Sequence, residues 1–288
     1  MNEQTLLRAR GDPWRAATHV GNAVEPSEDA AGAPALPTAA MLTVRLLDGF
    51  QLWHGGEPLP TPPHGRVRTL FKVLLLQRRR PLPRARLCAL LWPEAEAEKA
   101  RNNLHVALHR LRRDLGGACA VRLDDAGYQL LPRGELWLDT EQFVAHAEAG
   151  RRAEAAGRRA EAVAQYEAAL ALYQSDLLHD EECEASLAAD AQALRDGLSE
   201  VLERLSGLSE AEADWHGGLR TALRHLRLDP CNERAHRRLM TCYSRLGQLS
   251  LAEQQYRHCI SQLRRDLGLG PSEETTQLYR RLAARLDA

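Results

Sequence analysis

Between residues 102 and 113 the chain places hydrogen-bonding side chains at the spacing of a helix face: Asn102, Asn103, His105, His109, Arg110 and Arg113, with Val106 among them. At roughly 100° per residue, Asn102, Val106, His109 and Arg113 fall along one line, flanked by His105, Arg110 and Arg112. An amide can make two hydrogen bonds to an adenine edge, a guanidinium can do the same to guanine, and a valine methyl suits a thymine methyl. These side chains are therefore candidates for reading bases in a DNA groove. His105 and His109 stand four apart, a spacing that can also hold a metal. No Cys, Asp or Glu completes a set of three or four ligands, so no metal site is expected. A solvated amphipathic helix would carry much of the same face, and the neighbouring elements must decide.

The residues in question lie in Glu94–Leu115, EAEAEKARNNLHVALHRLRRDL, which reads as one helix. Leu104, Leu108, Leu111 and Leu115 form its apolar stripe. Glu94, Glu96 and Glu98 crowd the start, and Arg110, Arg112 and Arg113 the end, as the helix dipole favours. Residues 42–60 alternate in β fashion around Asp48-Gly49 and Gly55-Gly56, which predicts a small antiparallel sheet. Val67, Leu70, Phe71, Leu74 and Leu75 then give a helix that Pro81 ends, and residues 83–92 give a short second helix entered through Pro83. After Gly116-Gly117, two alternating runs flank Asp124-Asp125-Ala126-Gly127, which predicts a hairpin. A sheet, three helices and a closing hairpin make a winged helix-turn-helix. Arg66, Arg68, Lys72, Arg84, Arg86, Arg101, Arg112 and Arg122 are its expected phosphate ligands, setting affinity rather than sequence preference. The acidic tip, Asp124-Asp125, would repel phosphate, so the wing is expected to contribute little.

These residues carry a resemblance. Residues 42–131 look like the OmpR-type winged helix. The string LLWPEAEAEKARNNLHVALHRLRRDLG, followed by a hairpin ending GYQL, resembles the Streptomyces antibiotic regulatory protein family of bacterial activators. The resemblance implies binding to direct repeats in double-stranded promoter DNA and contact with RNA polymerase. Glu94, Glu96 and Glu98, between the second and third helices, are the candidates for that contact.

From Asp139 to Leu286 the pattern is helical. Gly218, Ala222 and Leu226 recur 34 residues later as Ala252, Tyr256 and Ile260, and Leu202 and Leu205 recur as His236 and Leu239. That interval is the tetratricopeptide period, in which each unit is a helix pair. Gly157, Ala162, Tyr166 and Leu170 match Gly247, Ala252, Tyr256 and Ile260 at an offset of 90. Ninety is not a multiple of 34, which predicts an insert near residues 174–189. This half resembles the bacterial transcriptional activator domain, down to RRDLGLGPSEETTQLYRRL at its end. One departure is Cys183, where family members often carry Trp, so a packing anchor is expected to differ. The fold expected is an α+β winged helix over residues 41–133, then an all-α tetratricopeptide-like stack over 134–288 that mediates self-association.

Composition agrees with this division. Residues 41–133 hold 16 Lys/Arg against 8 Asp/Glu, while residues 134–288 hold 19 against 26. A basic module joined to an acidic one suggests that only the first meets a polyanion. The second reading of that asymmetry is a repeat adaptor whose basic domain binds an acidic protein or RNA. The six cysteines are scattered without a C-x-x-C pair, and reduced thiols are expected. No apolar run spans a bilayer and the first residues lack a signal-peptide core, so a cytoplasmic protein is expected. There is no G-x-x-x-x-G-K-[ST], G-x-G-x-x-G or G-x-S-x-G motif, and neither an enzyme nor a cofactor is expected. Residues 1–40, rich in Ala, Pro and acidic groups, read as a disordered tail.

Overall fold

The computed structural model describes residues 41–62, 65–177 and 184–284. The expected tail over residues 1–40 and the Cys183 position lie outside these residues. Three short strands come first: β1 (Leu42–Arg45), β2 (Gln51–His54) and β3 (Glu57–Pro58), paired antiparallel in sequence order. Leu42, Val44 and Leu52 point into the core, as their alternation requires. Helix α1 (Arg66–Leu76) buries Val67, Leu70, Phe71, Leu74 and Leu75. After α2 (Arg84–Leu91) comes α3 (Ala97–Leu115), whose Leu104, Leu108, Leu111 and Leu115 are all buried. The third helix starts at Ala97, not at Glu94. The Ala95 amide turns back onto the Trp92 carbonyl at 3.2 Å, and Glu96 supplies the first helical carbonyl, to Ala100 at 2.8 Å. Pro93 at this point cannot donate, so the chain turns before the ladder begins.

The hairpin is β4 (Cys119–Asp124) with β5 (Gly127–Pro132), closed by Asp125 and Ala126. A further strand, β6 (Leu136–Leu138), follows the expected end of the winged helix at residue 133. It pairs parallel to β1, with Leu42 opposite Leu136 and Val44 opposite Leu138, and the sheet order is β3-β2-β1-β6. The sheet that opens the chain is thus completed by residues from beyond the wing.

Helix pairs follow: α4 (Asp139–Ala155) with α5 (Arg159–Leu172), α6 (Glu184–Ala211) with α7 (Trp215–Leu228), and α8 (Glu233–Arg245) with α9 (Leu249–Leu267). Helix α10 (Glu273–Ala283) caps the stack through Ser272 as its N-cap and through stacked Tyr256 and Tyr279 rings 4.1 Å apart. Helix α6 has 28 residues, against 14 and 13 in the next two helices. Its extra turns are part of the insert that breaks the 34-residue period, and the helix packs against α1 and α2. One hydrophobic core runs without interruption from Leu42 in the sheet to Leu208 in α6.

Each pair turns through a left-handed residue two places past the first helix: Gly157 at φ 73°, Ala213 at φ 56° and Gly247 at φ 75°. The small-residue approach between helices is equally regular. Ala162 and Ala252 are buried, and a Cβ added at Gly218 would lie 2.9 Å from Cys242 Sγ. Ala213 is the exception to the glycine rule, because a side chain there is strained by about 1 kcal/mol. Ala213→Gly is therefore expected to raise stability by roughly 0.5–1 kcal/mol, read as a higher urea midpoint. A loss of stability would show that the turn is not strained.

Candidate nucleic-acid interface

The long helix α3 has two faces of opposite character. Its leucine stripe, with Ala100 and Ala107, is sealed against the core. Opposite, Arg101, Asn102, His105, Val106, His109, Arg110, Arg112 and Arg113 are all exposed, and Asn103 is half-buried at the edge. The sequence-predicted outward face is thus gathered on one side of one helix. Val106 sits in the middle of that side and is 53% exposed. An isolated exposed valine is unremarkable. Here, however, it is ringed by amide, imidazole and guanidinium groups.

The arginines differ in how far they are engaged. Arg113 donates twice to Asp114, at 3.1 and 3.0 Å, which partly neutralises it. Arg112 reaches sideways to the Val121 carbonyl at 3.0 Å and braces the hairpin against the helix. Arg110 has no such tie among the described residues. Lys99, exposed in the first turn, is an addition that the sequence reading missed. Its signal was available: it stands three residues before Asn102 and seven before Val106, on the same line of the helix.

Arg84 and Arg86 are exposed at the start of α2. The expectation that Arg68 and Lys72 face phosphate is corrected by the structure. Lys72 is 2% exposed and Arg68 9% exposed. Lys72 Nζ donates to the Leu177 carbonyl at 3.0 Å, and Arg68 Nε to the Pro62 carbonyl at 3.0 Å. Both cations lie over the Phe50 ring, at 5.7 Å and 4.9 Å respectively. A helix packed against α2, α3, β5 and α6, with the Phe50 ring over both cations, leaves them no path to a polyanion. Arg66 is half-buried and donates to the Leu91 carbonyl, closing the end of α2.

One of the two wing-tip carboxylates is neutralised within the hairpin. Asp124 accepts from the Ala126 and Gly127 amides at 3.0 and 3.2 Å and pairs with Arg122 at 3.3 Å. Arg122 also donates to Gln129 at 3.2 Å, so this expected phosphate ligand is tied to its own hairpin. Leu123 beside the tip is 50% exposed. Glu94, Glu96 and Glu98 are exposed around the turn into α3.

A model of the bacterial transcriptional activator domain family matches residues 138–283, just over half of the chain. The transcriptional regulatory protein MoaR1 of Mycobacterium tuberculosis (strain ATCC 25618 / H37Rv) is 26% identical over 256 residues, covering 86% of this chain and 81% of its own. MoaR1 of Mycobacterium bovis (strain BCG / Pasteur 1173P2) is 30% identical over 125 residues, covering 41% of this chain and 39% of its own. Among solved structures, Mycobacterium tuberculosis EmbR in complex with low affinity phosphopeptide matches with a TM-score of 0.69 at 24% identity. That match covers 86% of this chain but 66% of the EmbR chain, so this chain spans just under two thirds of that structure. Both MoaR1 relatives are named as transcriptional regulators. No helix among the described residues is long and apolar enough to cross a membrane. With an α+β winged helix ahead of the matched helical stack, the chain belongs to the bacterial transcriptional activator domain family and is a transcriptional regulator of the Streptomyces antibiotic regulatory protein type.

Proposed function

We propose that the chain binds promoter DNA sequence-specifically and activates transcription, with α3 in the major groove. The observation that carries this reading is the exposed side of α3, on which Val106 sits among Asn102, His105, His109 and Arg110 while the other side is sealed. Arg110 and Asn102 are the best placed to read guanine and adenine edges, with Asn103 at the margin, Arg113 partly held by Asp114, and Val106 to meet a thymine methyl. Arg84, Arg86 and Arg101 hold phosphates, with Arg112 and Arg122 available in part. The repeat stack brings copies together on direct repeats, and the exposed carboxylates of Glu94, Glu96 and Glu98 meet RNA polymerase.

The test is a binding series on duplexes selected from the source genome. Arg110→Ala is expected to cost about 1–3 kcal/mol on the selected site and to relax preference at one base pair. Arg84→Ala should weaken all sequences alike and lower the salt slope by about one. Equal, sequence-blind losses from both would remove α3 as the reading helix. Replacing Glu94, Glu96 and Glu98 by Gln should leave DNA binding intact while transcription in vitro falls. Undiminished transcription would dismiss the polymerase contact.

A further inference from the structure

The two cations that turn inward form part of a larger arrangement. The loop between β1 and β2 is held from two sides by residues that follow the wing. On one side the Asp139 carboxylate, at the start of α4, accepts from the Leu46 and Leu47 amides, both at 2.7 Å. On the other side the Leu47 carbonyl accepts from the Gln174 and Ser175 amides at 2.8 and 2.6 Å, just after α5. Ser175 Oγ accepts from the Gly49 amide at 3.1 Å. Beneath this loop Phe50 meets Phe71 of α1 edge-on at 5.8 Å, with the Lys72 and Arg68 cations against it. Lys72 then reaches to the Leu177 carbonyl, 105 residues further along the chain. Helix α1, which bears both cations, also packs against α3.

We propose that Lys72 is a positioning residue that locks the winged helix onto the first helical pair, so that the stack sets the angle at which α3 is presented. This rests on the reading of α3 as the DNA-contacting helix. The buried ammonium is what makes the lock firm. Separating the two parts strips its hydrogen bond to a carbonyl before water can replace it, and charge-assisted hydrogen bonds are roughly twice as strong as neutral ones. The DNA-reading unit therefore includes β6, α4, α5 and the loop to Leu177, and a partner bound on the stack is held at a fixed attitude to the DNA.

Lys72→Met in the full chain tests this, because it keeps the stem and removes the charge. Hydrogen exchange should quicken at least tenfold at the Leu46, Leu47, Gln174 and Ser175 amides, with no change across α3. On a duplex selected from random sequence with the wild-type protein, and well below the unfolding temperature, affinity should fall by roughly three- to tenfold with an unchanged salt slope. A phosphate ligand would instead lower that slope by about one. A purely stabilising residue would lower the unfolding temperature and leave the affinity of the folded protein alone. Either of those results overturns the proposal, as does unchanged exchange at the four amides. If Lys72→Met does not fold, Ser175→Ala should give the same pattern at smaller size, and unchanged exchange at Gly49 and Leu47 in that variant counts against the lock. Failure of the wild type to select any duplex would sink the DNA reading instead, leaving the exchange result to judge the lock by itself.

Discussion

Gly127→Ala should lose about 3–5 kcal/mol of stability and detach the wing. A Cβ on residue 127 would lie 2.2 Å from the Leu82 carbonyl oxygen, 2.4 Å from its carbon and 2.7 Å from the Pro83 nitrogen. All three are backbone atoms, and none can swing aside as a side chain can. The strand and the segment before α2 are also joined by two hydrogen bonds, Leu82 amide to Tyr128 carbonyl and the reverse, both at 2.8 Å. To admit a methyl group, both bonds must break. The φ of 136° adds strain for any residue with a side chain. Losses of this size come from a short list of causes, and backbone collision at a special φ is among them. Urea unfolding measures the loss. A shift under about 1 kcal/mol would mean that the two segments yield more easily than their hydrogen bonds suggest. Because Pro83 leads directly into Arg84, the proposed phosphate contact of Arg84 predicts that the same variant binds DNA poorly even where it remains folded.

Acid should weaken the helical stack as the pH falls below about 6.5. Burial lowers the pKa of His225, His236 and His258 from the ordinary 6.5. The surroundings of His225 and His236 favour the neutral ring. The Asn232 amide oxygen accepts from the Ala235 amide at 3.0 Å, which turns its NH2 toward His225 Nε2 at 3.3 Å. Ser199 Oγ lies nearer to that nitrogen, at 2.9 Å, and Nδ1 is buried with no hydrogen-bond partner among the described residues, so a second ring proton would go unpaired there. In His236, Nε2 donates to the Pro230 carbonyl at 2.9 Å while Nδ1 accepts from the Gln255 amide at 2.5 Å. A folded state with lowered histidine pKa values binds fewer protons than the unfolded chain, so stability rises with pH across this window and is lost as pH falls through it. Three such groups set an upper limit of about 4 kcal/mol per pH unit.

Asp139 works in the opposite sense. Burial raises its pKa from 3.8 to about 6, against the pull of the Leu47, Leu46 and Thr140 amides. The folded state then holds the extra proton, and stability falls as pH rises from about 4 to about 6. Protonation of Asp139 should therefore offset part of the histidine loss once the pH falls toward about 6. Urea midpoints across pH 7.5 to 5 test this, with His225→Gln and His236→Gln expected to flatten the curve and Asp139→Asn to steepen it. A wild-type curve flat from pH 7 to 6 would show that these rings take protons without cost.

Much of this molecule was legible in the chain, and the illegible parts share a cause. Leu104, Leu108, Leu111 and Leu115 are visible because a helix repeats its core contacts every three or four residues, within one segment. The exposed face of α3 follows from the same period, as do the repeats, since Ala222 and Tyr256 keep their spacing whatever they touch. Lys72 and Arg68 were misread because charge predicts exposure only on average. What buries them is the Leu177 carbonyl and the Phe50 ring, one far along the chain and the other on a loop. The three residues of β6 show no alternation of their own and are defined by pairing with β1. The start of α3 was missed by three residues because the acidic run reads as helix through Glu94, and only the turn after Pro93 stops it. Ala213 hid for a different reason: nothing in an alanine announces a left-handed turn.

The pairing of β1 with β6 also has a consequence for synthesis. The first strand leaves the ribosome about 94 residues before its neighbour, counting from Leu42 to Leu136. Closing so long a loop is slow, and its entropic cost comes before any contact offsets it. During that interval the helices of the winged domain exist in the nascent chain with one edge of their sheet open. The four-stranded sheet is therefore completed only once residues 136–138 have been translated, and a chain truncated near residue 133 keeps the β1 edge open.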